Sequence, residues 1–279
     1  MAEDGIRLLS NVVASQVDLH ARFGGVVPEL ASRAHLETIN GCVEEALDRA
    51  SLSWPDLDGI AVTNRPGLIG SLLIGLCAAK AYALGSGLPL AGIHHIEGHI
   101  AASFLLPDPP PFPFLALVAS GGHTELILVH DHGRPEPIGS TRDDAAGEAF
   151  DKGARMLGLP FPGGPHLQRL AEGGDPTAFA FPRAAGVPGL DFSFAGLKTA
   201  LLYTIRDLGA DEAHRRRADL AASFQEAIVD ALAQRVERAL AQTGVGRLAI
   251  GGGVAANAPL RERLGGLGVA THVPAPALC

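Results

Sequence analysis

The sequence predicts an α/β fold in two lobes, in which helices cover β-sheet. Apolar runs of strand length alternate with apolar runs of helix length, a pattern that favours layered α/β proteins. The segment 107–113, Pro-Asp-Pro-Pro-Pro-Phe-Pro, fits neither a helix nor a central strand and therefore predicts a connector. With 279 residues, 47% of them hydrophobic and 19% charged, the chain is long and apolar enough to bury a core. We place an N-terminal lobe at 1–112 and a C-terminal lobe at 113–279.

The elements of the N-terminal lobe follow from this alternation. An amphipathic pattern predicts a helix over 28–52. After it, apolar runs predict a strand at 59–63, a helix at 68–84, a strand at 88–93 and a helix at 97–105. The run at 68–84 is the most apolar of the chain. Because it carries a lysine and several glycines, we expect it to be too short and too broken to span a bilayer.

Two apolar runs on either side of a glycine turn predict a hairpin that opens the C-terminal lobe. The remaining elements follow from apolar periodicity and from the glycines and prolines between the runs. The predicted strands are 114–119, 124–130, 138–141 and 247–250, and the predicted helices are 145–157, 194–208, 213–242 and 255–264.

The cysteines and the N-terminus predict a cytoplasmic protein without a membrane partner. Cys42, Cys77 and Cys279 lie far apart without paired spacing, which argues against a disulfide framework or a cysteine-based zinc site. The first residues lack the basic and apolar regions of a signal peptide.

The net charge of −8 gives the chain no general attraction for nucleic acid. RNA binding would therefore need a local basic patch, and one group of arginines is the candidate for it. A run of this kind is also typical of a solvated helix face, and that interpretation stays open. The candidate patch consists of Arg215, Arg216, Arg217, Arg206, Arg235 and Arg238.

Two histidines four residues apart form the most informative pattern in the chain. His95 and His99, in His-Ile-Glu-Gly-His, would share one helix face, from which both imidazoles reach a single metal ion. The same spacing also arises by chance, which leaves a structural role open. A zinc protease would need a glutamate next to the first histidine, whereas Glu97 lies two residues along and points off the shared face. The pattern therefore argues against a zinc protease, and it leaves metal binding and a structural role both open.

Two glycine-rich segments predict places where backbone approaches a ligand closely. Residues 120–124, Ser-Gly-Gly-His-Thr, follow an apolar run, and glycines without Cβ let N–H groups reach a phosphate. The triglycine at 251–253 ends a strand before a helix, a junction that brings helix N–H groups near a ligand. Neither segment is a Walker loop, and a tight turn of small residues explains each equally well. A metal pair together with an anion-binding turn favours nucleotide chemistry.

Acidic residues open the helix predicted at 145–157. Asp143 or Asp144 is expected to cap this helix. Asp151, on one face of the helix, is expected to accept hydrogen bonds from ribose hydroxyls. The Pro-Gly-Gly-Pro at 162–165 predicts a rigid turn against which a flat ring would lie.

Taken together, these segments resemble one family nearly from end to end. The chain is similar to the TsaD (Gcp) family, the tRNA N6-adenosine threonylcarbamoyltransferases once described as O-sialoglycoprotein endopeptidases. Seven ordered motifs carry the resemblance. They are Val-Val-Pro-Glu-Leu-Ala-Ser-Arg-Ala-His at 26–35, His-Ile-Glu-Gly-His at 95–99, Ser-Gly-Gly-His-Thr at 120–124, Asp-Ala-Ala-Gly-Glu-Ala-Phe-Asp-Lys at 144–152, Pro-Gly-Gly-Pro at 162–165, Phe-Ser-Phe-Ala-Gly-Leu-Lys at 192–198 and Gly-Gly-Gly-Val-Ala-Ala-Asn at 251–257.

The resemblance implies a fold and a reaction. The fold is that of actin, sugar kinases and Hsp70, with a central cleft between two lobes. In the reaction, threonylcarbamoyl-AMP gives its threonylcarbamoyl group to N6 of adenosine 37, in tRNAs that read codons beginning with A, and AMP leaves. The implied partners are tRNA, a TsaB-like paralogue and a TsaE-like ATPase.

The resemblance also implies a set of site residues. One divalent metal per subunit, iron or zinc, would be held by His95 and His99, and no catalytic residue is assigned beyond this metal site. The implied substrate-binding residues are Val118, Ala119, Ser120, Gly121, Gly122, Asp151, Gly164 and Asn257.

The chain departs from the family pattern at both ends. No Gly-Ile-Glu-Thr-Ser-Cys-type turn, which carries the first phosphate loop of the family, precedes residues 5–10. The segment 274–279 stops before the aspartate that the family uses as a metal ligand. We therefore expect a family member truncated at both ends. Two alternatives stay open: a non-catalytic nucleotide-binding scaffold subunit of the same fold, and an inactive fragment.

Overall fold

The computed structural model describes residues 1–4, 7–183, 186–275 and 278. Gly5 and Ile6 of the N-terminal segment and Cys279 lie outside the described residues. The chain divides into two compact units, Met1–Pro107 (unit 1) and Asp108–Cys279 (unit 2). The division falls at the start of the proline-rich segment, whereas the sequence places the boundary between residues 112 and 113. The lobe limits stay a prediction.

Unit 1 contains a parallel pair of strands flanked by helices. The two parallel strands pair in register from Ile60 opposite Leu90, and two short strands near the N-terminus form a separate antiparallel pair. Short 3₁₀ helices lie at Trp54–Asp56 and Ala102–Leu105. The other elements are β1 (Ala2–Glu3), β2 (Arg7–Leu8), α1 (Val17–Ala21), α2 (Pro28–Ala50), β3 (Ile60–Arg65), α3 (Ile69–Ser86), β4 (Leu90–His94) and α4 (His95–Ala101).

Helix α3 corrects one expectation from the sequence. It is unbroken over 18 residues, and by length and composition alone it is apolar enough to cross a membrane, a property that core helices of soluble proteins share. Its glycines do not interrupt it, and one of them serves packing. A Cβ at Gly70 would lie 2.5 Å from the Ser32 hydroxyl oxygen, so the glycine lets α2 approach α3 closely.

Helix α4 begins two residues earlier than the sequence predicts. The ring Nδ1 of His94 accepts a hydrogen bond from the Ile96 N–H (3.3 Å) and so caps the helix start. Histidine is not among the preferred capping residues, which is why the pattern does not reveal this start. Both His95 and His99 consequently lie on α4.

Unit 2 is built on a mixed sheet. Among the described residues, five strands lie in the order β7-β6-β5-β8-β9, with antiparallel pairing on the β6 side of β5 and parallel pairing on the β8 side. All six residues of β5 are buried, as expected for a central strand. The strands are β5 (Phe114–Ala119), β6 (Thr124–Val129), β7 (Pro135–Ser140), β8 (Arg247–Gly251) and β9 (Ala270–His272).

The helices of unit 2 form one core with this sheet. Side chains from α5, α6 and α9 pack with those of β5, β6 and β8 in a single buried cluster. The helices are α5 (Ala146–Met156), α6 (Gly163–Ala171), α7 (Ala195–Leu208), α8 (Ala210–Arg215), α9 (Arg217–Thr243) and α10 (Ala258–Gly265).

Two helices of unit 2 differ from the prediction. The helix expected at 213–242 is two helices, α8 and α9, because Arg216 leaves the helical conformation (φ −99°, ψ 17°). The helix expected at 255–264 starts as a 3₁₀ turn at Gly253–Ala256, and α10 begins only after Asn257. In both places a local backbone break divides one continuous apolar pattern.

Candidate functional site

Unit 2 contains a pocket of about 530 Å³, a volume typical of small-molecule sites. Its lining combines aromatic, proline and aliphatic residues with four glycines and four polar residues. Such a surface suits a flat ring that carries a few hydrogen-bonding groups. The lining residues are Gly121, Gly147, Phe150, Asp151, Pro162, Gly164, Pro165, Gln168, Arg169, Gly253, Val254, Ala256 and Asn257.

The triglycine after β8 brings backbone to the pocket. Gly252 has a φ of 85°, and a Cβ there would overlap the Ala119 carbonyl oxygen at the end of β5. A glycine is therefore required for the two strand ends to meet. Gly253, which has open space around its Cα, lines the pocket.

The glycine turn after β5 offers fewer backbone donors than the sequence suggests. The Ser120 hydroxyl oxygen accepts hydrogen bonds from the Gly122 N–H (3.4 Å) and the His123 N–H (3.1 Å). The Ser120 N–H itself donates to the His123 carbonyl (2.8 Å). Within the part of the chain that the structure describes, the Gly121 N–H makes no hydrogen bond, and Gly121 lines the pocket. This single N–H is thus the donor that the turn can offer to an anion.

The start of α5 is held by residues that the sequence does not suggest. The Ala146 N–H donates to the buried Thr124 hydroxyl (2.9 Å), and the Gly147 N–H donates to the Ser120 carbonyl (3.0 Å). A Cβ at Gly147 would lie 2.6 Å from that carbonyl oxygen, so a glycine is needed here. The helix is therefore fixed directly against the glycine turn.

The expectation that Asp143 or Asp144 caps α5 is wrong. Asp143 instead accepts hydrogen bonds from the N–H groups of Phe194 (2.7 Å) and Ala195 (3.2 Å), and so caps α7. Burial alone would raise the pKa of Asp143, but these bonds and one from the Ser193 hydroxyl outweigh it and lower the pKa. Short-range capping rules miss this contact because about fifty positions separate the partners in the chain.

Asp144 forms an ion pair with a lysine of α5. Its Oδ1 lies 2.9 Å from Lys152 Nζ, and its Oδ2 lies 3.4 Å from Lys198 Nζ on α7. Hydrogen bonds from Lys152 to Glu148 and Asp144 raise the pKa of this lysine against the opposing effect of desolvation, which is the largest single contribution. The acidic segment thus joins α5 to α7.

Asp151 lines the pocket, and its contact with a ribose stays a prediction. Burial raises its pKa, although hydrogen bonds from the N–H groups of Gly163 and Gly164 act in the opposite direction. The Gly163 N–H lies 2.7 Å from Asp151 Oδ1. A half-buried carboxylate with a raised pKa in a cavity is a feature of functional sites.

The segment 162–165 is the start of a helix and not the rigid turn predicted from the sequence. Pro162 precedes α6, and Pro165 lies in its first turn, where the missing N–H would have no partner within the helix. Gln168 and Arg169 of the same helix also line the pocket, and sequence reasoning missed both. A signal for Gln168 existed, since it follows Gly164 by four residues and so shares its helix face.

Asn257 is buried at the pocket and makes three hydrogen bonds through its side chain. Its Oδ1 accepts from the Leu260 N–H (3.0 Å) and caps α10. Its Nδ2 lies 3.0 Å from Gln168 Oε1 and 2.9 Å from Gln225 Oε1. The side chain is therefore held from three directions.

The structure thus separates the sequence-predicted substrate residues into two groups. Gly121, Asp151, Gly164 and Asn257 meet in one pocket. Val118 and Ala119 are buried inside β5, Ser120 is half-buried, and Gly122 is exposed; these four do not line it. The role of all eight residues as ligand contacts stays a prediction.

His95 and His99 lie together in unit 1. Their ring centroids are 4.6 Å apart in an edge-to-face arrangement, and both residues are half-buried. Two imidazoles fit a borderline metal such as iron or zinc as part of a ligand set. Over the described ranges 1–4, 7–183, 186–275 and 278, no group of three or more His, Cys, Asp or Glu side chains forms a metal site. The pair offers two imidazole nitrogens to a metal, and the metal site stays a prediction.

The arginine patch is smaller than the sequence suggests. Arg235 is 1% exposed and donates to the carbonyl of Asp191 (2.9 Å), so it cannot contribute to a surface patch. Arg216 pairs with Asp219 at 3.0 Å, and Arg217 donates to the Leu157 carbonyl. Arg206, Arg215 and Arg238 are exposed. Arg206 is paired with Asp207 and Arg215 with Glu212.

Comparison with solved structures defines the class of fold. HypF of T. kodakarensis superposes with a TM-score of 0.65 at 15% identity, over 86% of this chain and 41% of that protein. Component A of the (R)-2-hydroxyglutaryl-CoA dehydratase of Acidaminococcus fermentans gives a TM-score of 0.52 at 17% identity, over 86% and 78%. At these identities the likeness shows the fold alone. It confirms the predicted α/β fold of the actin, sugar-kinase and Hsp70 type.

Comparison of sequences identifies the family. A family profile described as "TsaD: tRNA N6-adenosine threonylcarbamoyltransferase" matches residues 7–279. A tRNA N6-adenosine threonylcarbamoyltransferase of Symbiobacterium thermophilum is 51% identical over 99% of this chain and 82% of its own length. One from Anaeromyxobacter dehalogenans is 55% identical over 94% and 78%. The chain belongs to the TsaD family, and the relatives favour a transferase over a non-catalytic scaffold.

Proposed function

We propose that this protein forms the modified nucleoside t6A by transferring a threonylcarbamoyl group from threonylcarbamoyl-AMP to N6 of adenosine 37. The tRNA substrates are those that read codons beginning with A, and AMP is the leaving group. Family membership supports the reaction class. The structural observation that carries the proposal is the meeting of Gly121, Asp151, Gly164 and Asn257 in one pocket of unit 2.

In this proposal the pocket binds the AMP half of the donor. The adenine ring lies against the apolar surface that includes Phe150 and Val254, and the ribose hydroxyls donate to Asp151. The phosphate accepts a hydrogen bond from the Gly121 N–H and is attracted by the positive charge of Arg169, which also lines the pocket. Donors directed at the leaving phosphate stabilise the charge that develops there as the mixed anhydride breaks.

His95 and His99 are the residues that would hold the divalent metal, iron or zinc. Support comes from their place on one face of α4 with ring centroids 4.6 Å apart. Such a cation would supply a Lewis acid that can polarise a carbonyl group. The histidines themselves supply two neutral nitrogen ligands from a rigid element.

Binding of tRNA is proposed to depend on partner proteins. The chain carries a net charge of −8, so its own affinity for tRNA is weak and sensitive to salt. Large apolar side chains on α2 and α3, including Leu36, Leu73 and Leu84, are exposed, which supports binding of a TsaB-like paralogue at unit 1. A TsaE-like ATPase is the further partner, and the location is the cytoplasm, without a membrane partner.

The pocket assignment is tested by binding of AMP alone. We expect calorimetry to show one AMP bound per chain, with an affinity that Asp151→Ala lowers because the ribose loses its acceptor. Asp175→Ala is the matched control, since Asp175 is an exposed acid of the same unit that does not line the pocket. Equal AMP affinity in all three proteins would contradict the assignment.

A further inference from the structure

We infer that Gln225 is a positioning residue for the adenylate: from α9 it fixes the amide of Asn257 in the orientation that the pocket uses. The inference rests on the proposed function, in which this pocket binds the AMP half of the donor. Gln225 is only 8% exposed and lines a second groove of unit 2 instead of the pocket. It therefore acts on a ligand through Asn257 and not by contact.

The hydrogen bonds fix the orientation of all three amides. The Leu260 N–H can only donate, so the Asn257 atom that it meets is the oxygen, and the other atom is Nδ2. Because Nδ2 can only donate, Gln168 and Gln225 must each present Oε1 to it. The Ala258 N–H independently fixes Gln168 by donating to the same Oε1 (3.1 Å).

This arrangement uses both protons of the Asn257 NH₂ group. One goes to Gln168 and the other to Gln225, so the group that Asn257 can still offer to a ligand is the second lone pair of Oδ1. The direction of that lone pair depends on both glutamines. Without the Gln225 oxygen, one N–H of a buried amide has no acceptor, and the side chain turns to find one.

The test compares Gln225→Met with Gln225→Glu. Methionine keeps the length and apolar volume but has no acceptor for the amide proton, whereas glutamate keeps an acceptor oxygen whether protonated or ionised. We expect Q225M to weaken AMP binding on the order of three- to tenfold, the effect of one hydrogen bond. The KM for threonylcarbamoyl-AMP should rise by a similar factor with kcat unchanged, and Q225E should restore both.

A purely structural role of Gln225 predicts the opposite order. At this buried position of α9, methionine would then be tolerated better than glutamate. A glutamate would place a further carboxylate in a groove that Glu172 and Glu226 already line. Gln234→Met, a half-buried glutamine of the same helix, is the matched control and should leave the AMP affinity unchanged. If Q225M does not fold, Gln225→Ala replaces it.

A double-mutant cycle provides the second measurement. Asn257→Ser keeps a side-chain oxygen to cap α10 but removes the NH₂ group, so adding Q225M should have no further effect on AMP binding. Wild-type AMP affinity in Q225M, or an equal loss in Q225M and Q225E, would overturn this inference alone. No AMP binding by the wild type would overturn the proposed function and the inference with it.

Discussion

Two adjacent glycines at the start of α6 should respond to alanine in opposite ways. A Cβ at Gly163 would lie 2.5 Å from the Ala154 Cβ and 2.7 Å from the Asp151 Cα, so the methyl group has no room. A Cβ at Gly164 meets nothing within 4 Å, and this glycine lines the pocket. Gly163→Ala is therefore a change in packing, and Gly164→Ala is a change in the ligand site.

The expected magnitudes follow from these contacts. Overpacking of a fixed backbone costs about 1–3 kcal/mol, so Gly163→Ala should lower the free energy of unfolding by that amount. Gly164→Ala should leave it unchanged or raise it by up to about 1 kcal/mol, because alanine restricts the unfolded chain. The same variant should weaken AMP binding, since the methyl group occupies space that the ligand uses.

The assay must report on unit 2. Trp54, the single tryptophan of the chain, lies in unit 1, so urea unfolding is best followed by circular dichroism of the helices. Calorimetry then gives the AMP affinity of each variant, and Gly173→Ala, at an open position just after α6, is the control for both measurements. Equal stability of Gly163→Ala and Gly164→Ala, or wild-type AMP affinity in the latter, would refute the reasoning.

Three further predictions follow from single contacts. Thr124→Val should lower the free energy of unfolding by about 1–3 kcal/mol, because the first N–H of α5 loses its acceptor, and Thr124→Ser should not; equal urea midpoints would contradict this. Burial raises the pKa of Asp151 above its ordinary 3.8. The contribution of Asp151 to stability is therefore full below pH 3.8 and is lost as the pH rises through the raised pKa of the folded protein. Asp151→Asn should therefore be more stable than the wild type at neutral pH, with the difference vanishing toward pH 4, and a difference independent of pH would disprove the burial effect. His95→Ala or His99→Ala should lower the iron or zinc content measured by elemental analysis, whereas His35→Ala should not, and unchanged metal content in the first two variants would remove the pair from the site.

Much of the fold was accessible from the sequence because its signals are local. The wholly apolar run of β5, followed by a glycine turn and the run of β6, defines a hairpin without outside information. The starts of α5 and α7 were predicted to within one residue, but the groups that cap them were not, since Thr124 and Asp143 lie on distant parts of the chain. Contacts of that kind depend on the tertiary structure.

The candidate site shows the same division. Gly164 and Asn257 belong to recognisable motifs, and the structure brings them into one pocket. Gln168 carries no motif of its own, and Gln225 reaches Asn257 only because α9 packs against α10. Arg235 shows the converse error, because a charged residue on a patterned helix was taken as exposed although it is buried. Burial of a polar group depends on partners that the sequence does not place.

The most direct test of the central claim is formation of t6A by this protein. The purified chain is incubated with unmodified tRNA, threonylcarbamoyl-AMP and its partner proteins, and the tRNA is then digested and its nucleosides are measured by mass spectrometry. Omission of the chain is the control. We expect t6A to appear only when the chain is present and to fall when excess AMP competes for the pocket. Equal amounts of t6A with and without the chain would contradict the account.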